Sequence, residues 1–123
     1  SLLFIDIDDF KELNRIKGHL YGNVFLKRVA ERLRMHTRIS DFVCRFGGDE
    51  FVLILSGSDR NTALDIASRI RNDLYNTINR EGCTVSIGVA TFPDDGTKVD
   101  DLISSADSAM RRAKNAGKNM IVA

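Results

Sequence analysis

The chain has 123 residues, of which 43% are hydrophobic and 28% are charged, proportions that are ordinary for one soluble globular domain. Its formal net charge is only +1, whereas a protein that binds the nucleic-acid backbone usually carries a basic excess. No apolar run approaches the roughly 20 residues of a membrane span, and no signal-peptide pattern opens the chain. We therefore expect a cytoplasmic domain with no nucleic-acid partner and no membrane contact of its own, although the full-length protein can still be membrane-anchored.

The two cysteines, Cys44 and Cys83, lack the close spacing of metal-binding thiols, and each lies in an apolar, strand-like run. This pattern predicts buried thiols in a reducing compartment. We also expect Met35 and Met110 to fill space in the core.

Residues 2–8 have the apolar character of a buried strand, but the strand ends in carboxylates. Asp6, Asp8 and Asp9 must be solvated or must hold a cation, since unpaired buried charge is expensive. A helix follows, with Asp8 or Asp9 available as its N-cap and Gly18 as its end. Either aspartate could instead support a metal site from its outer shell.

The start of this first helix would suit a phosphate, because its backbone N–H groups point at whatever lies beyond the strand. Lys11 lies in the first turn. Residues 19–22 are expected to lead into a second helix, whose apolar stripe serves core packing.

Residues 45–51 (RFGGDEF) lie between two apolar runs of strand character. Gly47 and Gly48 fall where a two-residue hairpin turn is expected, and glycine there would supply positive φ and let a ligand approach the main chain. Asp49 and Glu50 follow on opposite faces of the strand. An isolated turn of this kind is most often simply solvated, so the motif alone does not establish a site.

The second half of the chain predicts two more helices and two more strands. The expected elements are a helix over about residues 61–75, a strand over 84–90, a loop over 92–96, a helix that opens at a capping box of Thr97 and Asp100 and ends at Gly117, and a strand over 120–122. The complete order predicts an α/β (α+β) sandwich with a βαββαβ core.

In such a core the first strand lies antiparallel beside the third, so the end of the first strand meets the start of the third. Asp6 and Asp49 are therefore expected to converge. Two carboxylates, a backbone carbonyl, water and phosphate oxygens match the way in which Mg²⁺ is usually held, and such a site polarises phosphoryl groups. The lack of a histidine-rich or cysteine-rich cluster argues against zinc.

Several motifs stand in order along the chain: residues 4–14 (FIDIDDFKELN), Gly18-His19, residues 45–51, residues 84–90 (TVSIGVA), and the stretch from Ala106-Asp107 through Ala113-Lys114 with Gly117. Together they resemble the GGDEF family of diguanylate cyclases, and they are far more specific than one GGDEF would be. The resemblance implies a palm-like, nucleotide-cyclase-like fold with a five-stranded mixed, largely antiparallel sheet flanked by helices. Residues 1–123 would form one GGDEF domain that lacks the family's N-terminal lead-in segment.

The resemblance also implies a bacterial enzyme that condenses two GTP into cyclic di-GMP and releases pyrophosphate, with Mg²⁺ or Mn²⁺ as cofactor. By motif position, Asp6, Asp49 and the Ile7 carbonyl would bind the metal, and Asp49 or Glu50 would help to activate the 3′-hydroxyl. Each protomer of the family supplies one GTP, so catalysis would require a homodimer. An upstream sensory or regulatory domain is expected in the full-length protein.

The substrate contacts of the family are carried over in the same way. Lys11 and Lys114 would contact phosphates, Gly47 and Gly48 would lie against the nucleotide, Asn14 would read the guanine edge, and Asn23 and Lys118 stand at two further substrate-binding positions.

The chain departs from the family pattern at three of its residues. Asn23 replaces the usual aspartate, and an amide offers one acceptor and a donor where guanine N1–H and N2–H require two acceptors. Some family members altered here accept ATP as well, so a cyclase that makes a mixed cyclic dinucleotide is an alternative. Arg111 replaces the usual tyrosine, and Lys118 replaces an arginine whose fork it lacks.

Arg38 and Asp41 resemble the RxxD site at which the family's product inhibits the enzyme, and Arg69 resembles the second arginine used there. An arginine fork suits guanine O6 and N7, and a carboxylate accepts from guanine N1–H and N2–H. Without the GGDEF context, an exposed ion pair worth about 0–1 kcal/mol would be the default interpretation.

Two rivals to the diguanylate cyclase remain. One is a noncatalytic regulatory domain that binds cyclic di-GMP or GTP, but such a receptor would be free to lose Asp6 and the hairpin acids. The other is a cyclase with a single-nucleotide product, which the hairpin glycines and the RxxD element disfavour.

Overall fold

A computed structural model describes residues 1–123. It contains, in chain order, β1 (Leu2–Asp8), α1 (Phe10–Lys17), α2 (His19–Met35), β2 (Phe42–Arg45), β3 (Glu50–Ile54), α3 (Arg60–Ile78), a 3₁₀ turn (Asn79–Glu81), β4 (Thr84–Ala90), α4 (Val99–Asn115) and β5 (Ile121–Val122). The predicted α/β class and the order of the main elements are confirmed. None of the helices combines the length and the apolar character that a membrane crossing requires.

The five strands form one sheet in the order β2-β3-β1-β4-β5. β1 lies between β3 and β4 and is antiparallel to both, and the pairing of β4 with β5 is parallel. Ile5 pairs with Phe51 and Asp6 pairs with Glu50. The end of β1 therefore lies beside the start of β3, as the sequence predicts.

Side chains of β1 alternate between two apolar clusters, as the period of a strand requires. The odd-numbered residues belong to the larger cluster, which α2 and α3 cover. Leu2 and Phe4 belong to a smaller cluster beneath α4. Because Asp6 and Asp8 share the parity of Leu2 and Phe4, they lie on the face of the sheet that α4 covers.

The backbone of α4 lies directly on β4 at Gly88. A Cβ atom at this position would lie 1.9 Å from the Ala106 carbonyl oxygen and 2.5 Å from the Met110 nitrogen, both backbone atoms of the helix. Because no side chain fits between the strand and the helix, this close approach requires glycine. The contact sets the depth of α4, which carries Lys114 near its C-terminal end.

The second helix begins earlier than predicted. Gly18, with a φ of 88°, ends α1 and directly precedes α2, so residues 19–22 form the first turn of α2 and do not lead into it. Gly22 N–H donates to the Gly18 carbonyl at 3.1 Å, which closes that turn. The reason is that one glycine, Gly18, is the whole connection between the two helices.

The predicted capping box of α4 is wrong, because the helix begins at Val99 with no side-chain cap. The preceding loop is anchored by Asp95 instead, whose carboxylate accepts from Thr91 N–H at 2.8 Å and from Arg60 at 2.6 Å. The third helix is longer than predicted at both ends and begins after Asp59, whose side chain accepts from Thr62 N–H at 2.8 Å.

The predicted burial of Cys44 and Met35 is wrong. Cys44 is exposed because β2 is the edge strand of the sheet and packs on the larger cluster through Val43. Met35 is 68% exposed at the end of α2. Cys83 and Met110 are buried as expected, and burial raises the pKa of the Cys83 thiol to about 11, so it stays protonated at neutral pH.

The turn of the GGDEF hairpin also differs from the prediction. β2 ends at Arg45 and β3 begins at Glu50, so four residues connect the strands. Neither Gly47 nor Gly48 has a positive φ. The two glycines therefore do not supply left-handed backbone. What their lack of a side chain does is described with the site below.

Candidate active site

The carboxyl end of β1 and the start of β3 border one open cavity of about 500 Å³. Its lining residues are Asp6, Ile7, Asp9, Phe10, Lys11, Glu12, Asp49 and Lys114. Ile7 N–H donates to the Asp49 carbonyl at 3.0 Å, which fixes the hairpin against the strand. The N–H and C=O of one strand residue point to the same side, so the Ile7 carbonyl also faces the hairpin. The structure thus places Asp6, Ile7 and Asp49 at one cavity.

Lys114 joins the two aspartates of β1 that face α4. Its Nζ lies 2.7 Å from Asp8 Oδ1 and 3.1 Å from Asp6 Oδ1. Burial opposes the charge of this lysine, but the hydrogen bond to Asp8 and the charge of Asp6 outweigh it and raise the pKa of Lys114. Lys114 therefore already forms ion pairs with two carboxylates, which neutralise its charge within the cavity.

Asp8 is fully buried but well provided with donors. Besides Lys114, its oxygens accept from Thr84 Oγ1 at 2.6 Å, Ser86 Oγ at 2.8 Å and Asn119 N–H at 3.1 Å. Burial would raise the pKa of Asp8, but these hydrogen bonds outweigh it and lower the pKa. Asp8 therefore holds Lys114 beside Asp6.

Of the two residues predicted as alternatives for the N-cap of α1, Asp9 stands at that position, but neither Asp8 nor Asp9 caps the helix with its side chain. Asp9 occupies the N-cap position, but its backbone is left-handed (φ 63°) and its carboxylate accepts from Lys118 Nζ at 2.7 Å. An ion pair with Asp9 thus holds Lys118 at the N-terminus of α1.

Asp6 has fewer hydrogen-bond donors than Asp8, since Lys114 is its one charged partner. Burial raises the pKa of Asp6 to about 6; the charges of Asp49 and Glu50 add to this, and Lys114 only partly opposes them. No group of three or more His, Cys, Asp or Glu side chains is arranged to hold a metal ion by itself. A cluster of under-compensated carboxylates beside an open cavity nevertheless fits a hard cation that takes its remaining ligands from water and phosphate.

Glu50 lies opposite Asp6 on β3 and does not line the cavity. Burial raises the pKa of Glu50, and the neighbouring charges of Asp49 and Asp107 raise it further. Arg111, which pairs with Asp107 at 3.2 Å, opposes this rise. The glutamate is therefore in a position where the proton is held more tightly than usual.

The Gly-Gly loop is braced by Arg45, a contact that the sequence did not indicate. The guanidinium donates to the Gly47 carbonyl at 3.2 Å and to the Gly48 carbonyl at 2.9 Å. A Cβ atom at Gly47 would lie 2.3 Å from Glu50 Oε1, whereas nothing lies within 4 Å of one at Gly48. Gly47 therefore makes room for Glu50, and Gly48 leaves open space on the loop.

The residues predicted to contact the substrate lie in two different cavities and on the loop between them. Lys11 and Lys114 line the carboxylate cavity. Asn23 lines a second cavity of about 370 Å³ between α2 and the hairpin, together with Leu26, Phe51 and Arg45. Gly47 and Gly48 line neither cavity, and lie on the loop between the two strands that border them.

Asn14 lies against Gly22, in a contact that needs the tertiary structure to be seen. Asn14 Oδ1 is buried and has no hydrogen-bond partner. A Cβ atom at Gly22 would lie 1.9 Å from it, so only glycine leaves room for this amide. A buried amide oxygen without a partner is costly, and a ligand with a suitable donor would relieve that cost.

A third cavity, of about 500 Å³, brings together Arg38, Asp41 and Arg69. Asp41 accepts from Arg38 N–H at 2.8 Å, from Arg38 Nη2 at 3.2 Å and from Ser56 N–H at 2.9 Å. Burial opposes the ionisation of Asp41, but these bonds outweigh it and lower its pKa. The carboxylate also directs Arg38, whose guanidinium donates to the Ser56 carbonyl as well.

Comparison with known proteins identifies the family. The model of the family described as "Diguanylate cyclase, GGDEF domain" matches residues 1–120. Diguanylate cyclase DgcM of Escherichia coli K12 is 40% identical over the whole chain, which covers 30% of DgcM. The bifunctional diguanylate cyclase/cyclic di-GMP phosphodiesterase MucR of Pseudomonas aeruginosa is 37% identical over 97% of the chain, which covers 18% of MucR. The chain thus spans less than a third of the length of these relatives.

A solved structure gives the same result. The GGDEF domain of DgcB from Caulobacter crescentus, in complex with c-di-GMP, is 27% identical and superposes with a TM-score of 0.87, over 98% of this chain and 75% of that one. The chain therefore belongs to the GGDEF family of diguanylate cyclase domains.

Proposed function

We propose that the chain is a diguanylate cyclase domain that condenses two GTP into cyclic di-GMP. In each half of the reaction the 3′-hydroxyl of one nucleotide attacks the α-phosphorus of the other. A phosphodiester bond forms, the bond to the leaving phosphates breaks, and pyrophosphate is released. The observation that carries the proposal is the convergence of Asp6 and Asp49 at one open cavity, together with the raised pKa of Asp6.

Asp6, Asp49 and the Ile7 carbonyl are the oxygen ligands that would hold Mg²⁺ or Mn²⁺. A divalent cation held there would polarise phosphoryl oxygens and favour deprotonation of the hydroxyl nucleophile. Asp49 or Glu50 would accept the hydroxyl proton, and the raised pKa of Glu50 suits a group that must take up a proton.

The phosphates would lie between the carboxylate cavity and the first turn of α1. Lys11 lines this cavity and can reach a phosphate from that turn. Lys114 has three N–H donors, so it can hold Asp6 and Asp8 and still donate to a phosphate. Lys118, paired with Asp9 at 2.7 Å, would add positive charge at the edge of the same site.

Base selection would depend on Asn14 and Asn23. The buried Oδ1 of Asn14 lacks a donor, which guanine N1–H or N2–H could provide. Asn23 lines a cavity with the apolar side chains of Leu26 and Phe51, and this cavity would receive the purine base. Because an amide discriminates guanine less sharply than a carboxylate, a mixed cyclic dinucleotide remains the alternative product.

Catalysis would require two copies of the domain, since each would present one GTP from one carboxylate cavity. The full-length protein would carry a sensory or regulatory domain as well, which is consistent with the greater length of DgcM and MucR.

The experiment that tests the activity is incubation with GTP, ATP and Mg²⁺, followed by mass identification of the products. We expect cyclic di-GMP from GTP, no product in the presence of a chelator, and no product from the Asp49→Ala variant. A mixed dinucleotide would show relaxed base selectivity. Binding of cyclic di-GMP without any turnover would overturn the enzymatic proposal in favour of a noncatalytic receptor.

We also propose that cyclic di-GMP inhibits the domain by binding at Arg38, Asp41 and Arg69. The support is that these three residues, 31 positions apart at the extremes of the sequence, line one cavity. Arg38→Ala should weaken inhibition by added cyclic di-GMP about tenfold or more, as expected for a lost charged hydrogen bond. The matched control is Arg80→Ala, an exposed arginine of the 3₁₀ turn, and unchanged inhibition in Arg38→Ala would remove the site.

A further inference from the structure

The loop between α4 and β5 has an unusual backbone conformation. Gly117, Lys118 and Asn119 follow one another with φ values of 127°, 66° and 51°. Glycine adopts such angles freely and asparagine tolerates them, but they are uncommon for lysine. Contacts with other parts of the chain must therefore hold the loop in this shape.

Two contacts connect this loop to the candidate active site. Asn119 N–H donates to Oδ2 of the buried Asp8 at 3.1 Å, and Lys118 Nζ donates to Asp9 Oδ1 at 2.7 Å. The first contact supports the carboxylate that holds Lys114, and the second keeps Lys118 at the N-terminus of α1. The shape of the loop thus governs where Lys118 lies relative to the site.

Arg71, on α3, is the side chain that holds Asn119. Its Nη1 donates to Asn119 Oδ1 at 3.2 Å and lies 3.4 Å from the Asn119 carbonyl oxygen, and its Nη2 donates to Asn72 Oδ1 at 2.8 Å. Because α3 and α4 cover opposite faces of the sheet, Arg71 joins the two layers next to the edge strand β5. Arg71 does not line the cavity of Asp6 and Asp49, so its effect on that cavity passes through the loop.

We propose that Arg71 is a positioning residue of this domain: by holding Asn119, it keeps Lys118 at the N-terminus of α1, where Lys118 meets the phosphates of a nucleoside triphosphate. This inference rests on the proposed function. A lysine side chain is long and flexible, and ordering it when a ligand binds costs conformational entropy. A loop that a second layer of the fold already fixes reduces this cost, so the contribution of Lys118 to phosphate binding depends on Arg71.

The test is calorimetric titration of the purified chain with 3′-deoxy-GTP and Mg²⁺, since a nucleotide without the attacking hydroxyl binds but does not react. We expect Arg71→Met to weaken binding about 3- to 10-fold, the effect of one lost charged hydrogen bond at a partly exposed position. Arg71→Lys keeps a cation that can donate to Asn119 and should bind within about twofold of the wild type. The matched control is Arg80→Met, at an exposed arginine of the 3₁₀ turn, which should bind like the wild type.

A second substitution tests the route through Lys118. In a Lys118→Met chain the residue that Arg71 positions is gone, so adding Arg71→Met should weaken binding less than about twofold further. An equal loss with and without Lys118 would show that Arg71 supports the fold in general, and would overturn the proposal. Asn119→Gly removes the Oδ1 acceptor and keeps the positive φ, so it should also weaken binding about 3- to 10-fold, even if Arg71→Met does not fold. Wild-type affinity in Asn119→Gly would overturn the proposal as well.

The same titrations separate this proposal from the proposed function. If the wild type binds 3′-deoxy-GTP and makes cyclic di-GMP from GTP, but Arg71→Met binds equally well, the cyclase stands and the role of Arg71 is overturned. If the wild type neither binds the analogue nor makes cyclic di-GMP, the proposed function fails, and the role of Arg71 fails with it. Weaker binding in Arg71→Met that Arg71→Lys restores, and that is lost in the Lys118→Met chain, supports the proposal.

Discussion

The cavity lined by Asp6 and Asp49 (the carboxylate cavity) and the cavity lined by Arg38, Asp41 and Arg69 (the arginine cavity) each contain a largely buried aspartate side chain. The pKa values of these two aspartates, Asp6 and Asp41, are shifted in opposite directions. The pKa of Asp6 is raised to about 6, chiefly by burial. The side chain of Asp41 is even less exposed, at 1% against 13% for Asp6, but its pKa is lowered. Asp41 has backbone donors from Arg38 and Ser56, whereas Asp6 shares one lysine with Asp8.

The difference shows that the supply of donors, more than burial, decides the charge state of a carboxylate. At the proposed cation site, Asp6 has too few hydrogen-bond donors to offset its burial. At the proposed product site, Asp41 accepts hydrogen bonds from the chain itself, and Arg38 stays 59% exposed. The two cavities should therefore respond differently to substitution.

The largest expected effect is at Asp49. Asp49→Asn should lower the rate of cyclic di-GMP synthesis more than about 100-fold, since even outer-shell changes at metal sites cost 10- to 100-fold. Binding of cyclic di-GMP at the arginine cavity should be unchanged, as measured by calorimetry. Asp65→Asn, an exposed aspartate of α3, is the control. Loss of binding as well as turnover would show that the two cavities are not independent.

Lys114→Met should destabilise the fold by about 2–3 kcal/mol, because it leaves the buried Asp8 carboxylate without its cation. The loss is smaller than for a fully buried pair because the lysine side chain is 26% exposed. The measurement is urea unfolding at pH 8, with the exposed Lys98→Met as control. Equal unfolding midpoints for the two variants would contradict the role assigned to Lys114.

The smallest expected effect tests the comparison most directly. At pH 8, Asp6→Asn should stabilise the unliganded fold by about 1 kcal/mol, and Asp41→Asn should destabilise it by a similar amount. The pKa of Asp6 is raised on folding, so its ionisation costs stability as the pH rises from about 4 to 6, and Asn avoids that cost above pH 6. The pKa of Asp41 is lowered, so its stabilising contribution is present at pH 8 and is lost on acidification.

Urea unfolding at pH 5 and pH 8 would check both signs. The advantage of Asp6→Asn should shrink at the lower pH, where wild-type Asp6 is largely protonated in the folded state. Changes of the same sign in the two variants at pH 8 would refute the contrast between the two cavities.

The parts of the fold that depend on local pattern could be predicted from the sequence. Short apolar runs identify β1 and β3, and their antiparallel pairing follows from the βαββαβ order, which brings Asp6 to Asp49. The family motif predicted that Arg38, Asp41 and Arg69 belong to one site. Without it, Arg38 and Asp41 would be interpreted as an ordinary ion pair, and Arg69 as an unrelated arginine.

What the sequence could not provide are facts set by neighbours that are remote in the chain. The exposure of Cys44 depends on β2 being the edge strand, although its own run is apolar. The burial of Asp8 depends on donors from β4 and the loop after α4. Arg71 and Asn119 lie 48 residues apart, and no local pattern links them.

The close contact at Gly88 has a consequence for the chemistry at the far end of α4. A methyl group there would collide with the helix backbone, so the helix would have to lift away from the sheet. Lys114, about one helical turn beyond Met110, would then lose its reach to both aspartates. A substitution at Gly88, which lines neither cavity, would therefore disturb the carboxylate cavity through the position of α4.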